Sequence, residues 1–241
     1  MIQAITFDLW NTLLTNKVYS DMRLSFFINF LETRGIIHSF KMVKEAFSLA
    51  FNLPPRDLER IKYRHIYTMT RILKMLEILN IELSESNKNL IKQNFEDTML
   101  IDPPLLKTGV KQTLKILSSD YKLGLISNTG ASPGRIIIKV LENYKILQYF
   151  QTTIFSDETG FYKPSPTMFE TALKNLNCEP QNAIHVGDRL DTDIKGAKES
   201  NMVTIWINDS FSSQPIYSQP DFEIQQILEV IEIIKRLNRM S

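Results

Sequence analysis

From about residue 105 onward the chain alternates short apolar runs with amphipathic stretches, and this alternation restricts the fold more than any other feature of the sequence. A short apolar run that ends in a polar or glycine residue is typical of a buried parallel strand. Such runs occur at residues 4–8, 123–127, 153–155, 183–188 and 203–208. Crossover helices are predicted at residues 109–119, 133–147, 166–176, 191–200 and 224–237. We therefore predict a doubly wound α/β fold with a parallel sheet, which binds ligands at the carboxyl ends of its strands.

Residues 16–100 follow a different pattern from the rest of the chain. They show helical periodicity, are rich in Phe, Leu, Ile and Met, contain a Pro54-Pro55 break and have no convincing strand. The Asp102-Pro103-Pro104 segment fits a return hinge, because the residue before a proline is pushed out of the helical region. We therefore predict a core formed by residues 1–15 and 103–241, with residues 16–102 as an inserted helical domain.

The composition argues against partners that are bound through a strong overall charge. Lys and Arg number 28 and Asp and Glu number 27, so the net charge is +1 and no global field recruits nucleic acid or an anionic membrane. The single cysteine, Cys178, excludes an internal disulfide framework and fits a reducing compartment. No apolar run reaches the roughly 20 residues of a membrane span, and the N-terminus lacks the features of a signal peptide. We expect a soluble cytoplasmic protein, whose composition does not decide between a monomer and a homodimer.

The helix predicted at residues 166–176 has a clear start signal. Serine at position 165 can cap free N–H groups with its side chain. Proline at position 166 loses no hydrogen bond, because the first N–H of a helix has no partner within the helix. This helix is therefore predicted to begin just after Lys163.

Four polar motifs lie at or near the ends of predicted strands. In chain order they are Asp8 in FDLWNTL, Ser127 in GLISNTG, Lys163 in GFYKPSP and the acids of GDRLDTDIKGA. Each motif alone is weak, but the ordered set resembles the four signature motifs of the haloacid dehalogenase superfamily, whose members are mostly phosphatases. The resemblance covers the first strand and most of the chain after residue 105. It implies a Rossmann-like core with the helical insertion as a mobile cap over the site.

The motif residues suit phosphoryl transfer. A carboxylate at a strand end can attack phosphorus and form an acyl phosphate, which divides one difficult displacement into two easier steps. The resemblance implies that Asp8 is this nucleophile, and it makes Asp8, Ser127 and Lys163 the expected catalytic residues. Hydroxyl, amide and ammonium groups can donate to phosphoryl oxygens. The expected substrate-binding residues are Thr12, Ser127, Asn128 and Lys163.

The motifs also predict a Mg²⁺ site. Two acids and a phosphate dianion in one low-dielectric cleft repel one another unless cations offset their charge, and a lysine with a divalent ion supplies that offset. In the family pattern the metal binds the nucleophilic aspartate, the backbone carbonyl two residues later and an acid of the last motif, which are here Asp8, Trp10 and Asp188. Asp193 would lie one turn into the following helix and hold a metal-bound water, with Asp191 as the competing candidate.

Each of these residues also has a purely structural interpretation. An aspartate after a strand, such as Asp8, is commonly a turn or cap residue. Ser127 can simply end its strand, and Lys163 can be solvated at the surface, as most lysines are. Asp191 and Asp193 can stabilise a helix N-terminus through its dipole. The presence of all four motifs in order favours the functional interpretation.

Trp10 is the one departure from the family pattern. In family phosphatases the first motif reads Asp-x-Asp-x-Thr, and the second acid donates a proton to the leaving alkoxide before it activates water. Trp10 stands at that position, and an indole N–H does not titrate near neutral pH. General acid–base catalysis is worth about 10² to 10⁴ in rate, so this help is either missing or supplied differently. Substrates with good leaving groups, such as aryl or acyl phosphates, should suffer least.

The departure at Trp10 keeps two other functions open. Family members that hydrolyse carbon–halogen bonds through an aspartyl ester also lack the second acid, because halide leaves without a proton. Against a metal-free 2-haloacid dehalogenase stands Asp188, which such an enzyme has no need of. The third possible function is that of a catalytically weak phosphate-binding or partner-binding protein. The presence of Asp8 and Lys163 argues against it. We predict Mg²⁺-dependent hydrolysis of a small phosphorylated metabolite through an aspartyl phosphate.

Residues outside the motifs give weaker signals. His185 lies three residues before Asp188, and in a strand this offset separates the two by about 10 Å and points them to opposite faces, so we interpret it as a packing residue. The cap arginines can close over a substrate anion, although most are expected to be solvated or paired; they include Arg23, Arg34, Arg56, Arg60 and Arg64. Phenylalanines at helix-like spacing predict the core of the cap, namely Phe26, Phe27, Phe30, Phe47 and Phe51.

Overall fold

The computed structural model describes residues 1–52, 63–209 and 218–239 and shows an α/β fold. Within these residues the core is a parallel sheet of six strands in the order β3-β2-β1-β4-β5-β6. The strands are β1 (Ala4–Phe7), β2 (Lys122–Ser127), β3 (Thr152–Phe155), β4 (Ala183–Gly187), β5 (Val203–Ile207) and β6 (Phe222–Ile224). The central strands are buried because hydrophobic clusters with helices lie on both faces of the sheet. The predicted parallel fold and its first five strands are confirmed.

Strand β6 corrects the prediction that a helix begins at residue 224. It pairs with β5, and Ile205 lies opposite Phe222 while Ile207 lies opposite Ile224. The Ile224 side chain is buried in the main hydrophobic cluster. A strand of three residues is too short to be recognised from periodicity, which explains the error. The last helix begins at Glu229 instead.

In the described part of the chain, five helices lie between β1 and β2, and the first four of them form the cap. These four are α1 (Ser20–Glu32), α2 (Phe40–Phe51), α3 (Thr68–Leu79) and α4 (Glu85–Ile101). The cap has a hydrophobic core of its own, in which the Phe95 ring makes edge-on contacts with Phe27 and Phe47. The predicted helical insertion and its phenylalanine packing are confirmed, whereas the domain limits at residues 15 and 103 stay a prediction. Outside the described residues lie Pro54, Pro55, Arg56 and Arg60.

The two segments that connect cap and core run next to each other. Thr15 N donates to Leu105 O at 2.8 Å, and Lys107 N donates to Leu13 O at 2.9 Å. The chain therefore leaves the core and returns to it at one place. A pair of connections of this kind allows a helical insertion without a break in the sheet.

The core helices are α5 (Val110–Leu117), α6 (Gly134–Asn143), α7 (Ser156–Thr159), α8 (Pro166–Leu176), α9 (Lys195–Glu199) and α10 (Glu229–Arg239). Helix α8 begins at Pro166 as predicted, but the Ser165 side chain makes no capping hydrogen bond, which corrects its expected role. The helix predicted at residues 191–200 is a π-helical turn, Leu190–Ile194, followed by α9. No helix among the described residues combines the length and apolar character needed to span a bilayer.

Close packing of α8 against α9 depends on a glycine. A Cβ on Gly196 would lie 2.3 Å from Cε2 of Phe169 and 3.0 Å from the Pro164 Cα. The Phe169 side chain is fully buried and has no free space into which to move. Helix α9 can therefore lie this close only with glycine at this position.

We expect Gly196→Ala to lower the free energy of unfolding by about 1–3 kcal/mol, because the added methyl forces the Phe169 ring out of its packed position. Gly130→Ala is the control, since no atom lies within 4 Å of the Cβ that it would add. Urea denaturation measures both variants. Equal stabilities would contradict the packing described for α8 and α9.

Candidate active site

The carboxyl ends of the three central strands bring the motif residues together. Strand β1 pairs in parallel with β2 on one side and with β4 on the other. Asp8 follows β1, Ser127 ends β2 and Asp188 follows β4, so all three lie at the same edge of the sheet. Lys163 comes from the loop that precedes α8. The topology therefore gathers residues that are far apart in sequence.

The ammonium group of Lys163 lies between two buried carboxylates. Its Nζ is 2.5 Å from Asp8 Oδ1 and 2.7 Å from Asp193 Oδ1. The same Nζ donates to the Ile126 carbonyl oxygen at 2.8 Å, so its position is fixed from three directions. Lys163 is 3% exposed, and a charged lysine at this depth requires such partners. The structure thus places Lys163 in the core and not in a solvated surface position.

Three carboxylates form a cluster that fits a divalent cation. Asp8, Asp188 and Asp193 each contribute one oxygen, and these oxygens lie within 4.8 Å of one another. Asp8 Oδ2 is buried and forms no hydrogen bond with any described residue. A buried acceptor without a donor is costly, and carboxylate oxygens are the ligands that Mg²⁺ prefers. The side chains present are therefore compatible with the predicted Mg²⁺ site.

Burial and mutual repulsion separate the pKa values in this cluster. Burial, with the charges of Asp193 and Asp188, raises the pKa of Asp8 to about 7 despite the nearby lysine. Burial and Asp193 likewise raise the pKa of Asp188 to about 6. Burial acts on Asp193 too, but Lys163 and His185 hold the pKa of its carboxyl well below its usual range. Asp193 therefore carries a firm negative charge, whereas a further cation would increase the ionised fraction of Asp8 and, to a smaller extent, of Asp188 near neutral pH.

The carboxylates beside Lys163 keep its ammonium group protonated. Burial by itself lowers the pKa of this ammonium group, but the carboxylates of Asp193 and Asp8 raise it to about 12. Charge on Lys163 therefore persists throughout the neutral pH range.

The π-helical turn after β4 directs Asp193 back toward the sheet. Arg189 N donates to Asp193 Oδ2 at 3.0 Å. A Cβ on Gly187 would lie 2.5 Å from the Asp193 Cβ, so only glycine allows this approach. Asp191 instead accepts hydrogen bonds from the Arg189 guanidinium at 2.6 and 3.0 Å. Among the two competing candidates, the structure brings Asp193 into the cluster.

The other predicted site residues surround the cluster in different ways. The buried Ser127 hydroxyl donates to the Asn128 carbonyl at 3.3 Å, and Trp10 Nε1 donates to the same carbonyl at 3.0 Å. The Asn128 side chain holds the backbone of Lys163, because Oδ1 accepts from Lys163 N at 2.7 Å and Nδ2 donates to Lys163 O at 3.3 Å. The Thr12 hydroxyl is buried and bonds to no described residue. Their roles in binding substrate and metal stay predictions.

His185 has a contact that the sequence analysis missed. It is fully buried with its ring edge-on to Phe169, so its packing role is confirmed. Its Nδ1 lies 2.8 Å from Thr6 Oγ1, and its Nε2 lies 3.7 Å from Asp193 Oδ1. Strand alternation concerns only His185 and Asp188, and it cannot show that the π-helical turn returns Asp193 to the histidine. No signal in the sequence marks that turn.

Comparisons with known proteins match most of the chain to one family. The model of the haloacid dehalogenase-like hydrolase family matches residues 2–201. The chain is 33% identical over 134 residues to the glyceraldehyde 3-phosphate phosphatase of Pyrococcus furiosus, a match that covers 54% of this chain and 55% of that protein. The chain thus spans about half the length of the curated relatives that it matches in this way.

Two solved structures resemble the whole chain in fold. A 2-haloacid dehalogenase from Pseudomonas syringae pv. Tomato DC3000 has a TM-score of 0.75 at 24% identity, and the match covers 98% of this chain and 100% of that one. A HAD phosphatase from Thermococcus onnurineus has a TM-score of 0.65 at 24% identity, with 97% and 98% covered. At this identity the likeness shows the shared fold.

We expect Lys163→Met to lower the free energy of unfolding by about 3–5 kcal/mol in metal-free buffer, because it leaves the Asp8 and Asp193 carboxylates buried without their cation. Lys195→Met is the matched control, since Lys195 is partly exposed and lies 4.0 Å from Glu199. Urea denaturation near neutral pH measures both variants. If Lys163→Met cost no more than Lys195→Met, the central ion pair would not stabilise the fold.

Proposed function

The chain belongs to the haloacid dehalogenase-like hydrolase family, and on that premise we propose that it is a phosphohydrolase for a small phosphorylated metabolite. The main support for the proposal is the environment of the Asp8 carboxylate. Its Oδ1 is paired with Lys163 and its buried Oδ2 bonds to no described residue, while its carboxylate belongs to the cluster with Asp188 and Asp193. A site that only binds a ligand has no need of a nucleophile in this position. The similarity to glyceraldehyde 3-phosphate phosphatases supports the same class of reaction.

In the proposed reaction a carboxylate oxygen of Asp8 attacks the phosphorus atom of the ester. The bond from phosphorus to the ester oxygen breaks, and an aspartyl phosphate forms. Water then attacks the same phosphorus, releases inorganic phosphate and restores the Asp8 carboxylate. Lys163 neutralises charge on the phosphoryl group, and Ser127 is the proposed hydroxyl donor to its oxygens. Asn128 positions Lys163 through its two hydrogen bonds to that residue's backbone.

The carboxylate cluster is the proposed Mg²⁺ site. Its ligands, direct or through water, would be Asp8, Asp188, Asp193 and the backbone carbonyl of Trp10. When bound, Mg²⁺ neutralises phosphoryl oxygens and lowers the repulsion between the ester and the nucleophile. A positive charge of this kind would favour the ionised form of Asp8, whose pKa burial raises to about 7.

Trp10 determines which leaving groups the proposed enzyme handles well. Its indole N–H is already bonded to the Asn128 carbonyl at 3.0 Å. The leaving oxygen therefore receives no proton from residue 10, because an indole neither titrates nor has a second N–H to offer. We propose that esters with stable anionic leaving groups react fastest.

A metal-free 2-haloacid dehalogenase is the second candidate function. Trp10 favours it, since halide needs no proton when it leaves. The cluster argues against it, because a metal-free reaction gains nothing from Asp188 and Asp193 beside the nucleophile. A catalytically weak phosphate-binding or partner-binding protein is the third candidate and rests on the same substitution at Trp10.

We also propose that the protein works in the cytoplasm. Cys178 is a free thiol, as is usual for proteins of reducing compartments. The net charge of +1 gives no reason to expect nucleic acid or an anionic membrane as a partner.

Hydrolysis of p-nitrophenyl phosphate should require Mg²⁺. We expect EDTA to lower phosphate release by at least about 100-fold, and Asp8→Asn to reduce it to background, because both changes remove groups that act directly on the phosphoryl group. Asp193→Asn should be strongly impaired, whereas its neighbour Asp191→Asn serves as the control and should stay within about twofold. Release of halide from 2-chloropropionate that is unaffected by EDTA would favour the dehalogenase instead, and no turnover on a broad panel would favour the binding protein.

We expect Trp10→Asp to speed hydrolysis of alkyl phosphates at least about tenfold more than that of aryl phosphates, because the new carboxyl group can protonate a poor leaving group. Trp10→Phe is the control, since it removes the hydrogen bond to the Asn128 carbonyl without adding an acid. Steady-state kinetics with ethyl phosphate and p-nitrophenyl phosphate give the comparison. Equal effects on both esters would show that residue 10 does not limit protonation of the leaving group.

A further inference from the structure

A small cavity lies beside Trp10 where the cap meets the core. It has a volume of about 180 Å³, and cap residues Lys17, Tyr19 and Arg23 face Ala131 of the loop after β2 across it. Its volume is below the roughly 300 Å³ at which pockets for drug-sized ligands begin. The cavity therefore has room for a small group and not for a nucleoside.

Arg23 is a buried cation with no acidic partner in the described part of the chain. Only 7% of its surface is exposed, and no ion pair joins it to a described carboxylate. Its Nε donates to the Phe95 carbonyl at 2.8 Å, and its Nη2 donates to Ser132 Oγ at 2.8 Å. No hydrogen bond joins Nη1 to a described residue. Burial lowers the pKa of the guanidinium to about 10, and the nearby Arg71 acts in the same direction, while the phenol of Tyr19 opposes them.

The two hydrogen bonds of Arg23 do not explain why a charged group is needed there. Both acceptors, the Phe95 carbonyl and the Ser132 hydroxyl, are neutral. A guanidinium without a carboxylate is costly at this depth, whereas a neutral donor could hold α1 against α4 at lower cost. The Tyr19 ring centroid lies 5.4 Å from the Arg23 guanidinium carbon, a cation–π contact that adds no negative charge. Because Arg23 also lines the cavity, an anion that is not part of the protein can reach it there.

Lys17 adds a second positive charge to the same cavity. Its side chain is 34% exposed, and it forms an ion pair with Asp102, a more exposed residue that does not line the cavity. The partner Asp102 thus offsets Lys17 at the rim, and Arg23 remains without an anion at the wall. A negatively charged group that entered would meet both cations.

We propose that this cavity binds a carboxylate of the substrate, so that the protein acts on small phosphorylated carboxylic acids. The inference rests on the proposed phosphohydrolase function and deepens it. The Arg23 guanidinium still has Nη1 to donate to a carboxylate, and the small volume admits little more than that group with a short carbon chain. Trp10 lines this cavity and follows Asp8 of the carboxylate cluster by two residues, so the carboxylate and the phosphoryl group of one small substrate would occupy neighbouring places.

The test compares two three-carbon esters that differ at one carbon, 3-phosphoglycerate with a carboxylate and glycerol 3-phosphate with a hydroxymethyl group. We expect kcat/KM of the native protein to be at least about tenfold higher for 3-phosphoglycerate. Arg23→Gln should lower this ratio about 10- to 100-fold, mainly through KM, since an interaction made with the ground state and the transition state alike is lost. Arg23→Lys should recover part of the preference, because the charge returns without the planar fork.

Two further variants distinguish a loss of carboxylate binding from a loss of folding. Lys17→Gln is partly exposed and should fold normally, and it should lower the preference by about two- to fivefold. Arg34→Gln is the matched control, since Arg34 is a cap arginine that bonds to Asn87 outside the cavity, and it should leave the preference unchanged. Thermal denaturation of each variant shows whether it is folded.

The outcomes separate this inference from the function on which it rests. Absence of phosphate release from both esters and from p-nitrophenyl phosphate would overturn the phosphohydrolase function, and the carboxylate site with it. Hydrolysis without a preference for 3-phosphoglycerate would overturn the carboxylate site alone. Equal losses on both esters in folded Arg23→Gln and Lys17→Gln would do the same, because they would show a purely structural role.

Discussion

The ammonium group of Lys163 holds two buried carboxylates at 2.5 and 2.7 Å, and the arrangement of the surrounding loops depends on this interaction. Three acidic side chains whose oxygens approach within 4.8 Å cannot share a dry site without positive charge. The fold therefore fixes Lys163 from several sides, through the Ile126 carbonyl, the Asn128 side chain and the start of α8. Lys163 does not neutralise the whole cluster, and a Mg²⁺ ion would offset the remaining negative charge of Asp8 and Asp188.

The sequence predicts the sheet and the positions of the motif residues well, for a clear physical reason. Parallel strands are buried on both faces, so they appear as apolar runs, and the residue after each run must lie at the carboxyl edge. Asp8, Ser127 and Asp188 could be placed in this way. The short strand β6 could not, because three residues give no periodic signal.

Other features depend on geometry that no linear pattern records. The choice between Asp191 and Asp193 is made by a π-helical turn and by the missing Cβ of Gly187. The sequence predicts Asn128 as a substrate-binding residue, but it does not show that the Asn128 side chain bonds to the backbone of Lys163. Arg23 looked like one of several cap arginines, and the structure distinguishes it by its burial, its neutral partners and its position in the wall of the cavity beside Trp10.

Hydrogen bonds join the cap to segments at the carboxyl edge of the sheet. His65 Nδ1 lies 3.1 Å from Ser156 Oγ, and the Thr68 hydroxyl donates to the Ala131 carbonyl at 3.0 Å. Both contacts, like that of Arg23 with Ser132, reach segments that follow β2 or β3 at the active edge of the sheet. The cap is therefore bonded to the segment after β3 and to the loop after β2, where the proposed substrate-binding residues Ser127 and Asn128 end the strand and begin the loop.

The most direct measurement is mass spectrometry of protein that is quenched with acid during turnover of a phosphate ester with Mg²⁺. The account predicts a phosphoryl group on the peptide that contains Asp8 and none in Asp8→Asn; phosphate release by the native protein with no such adduct at any point of the reaction would contradict it.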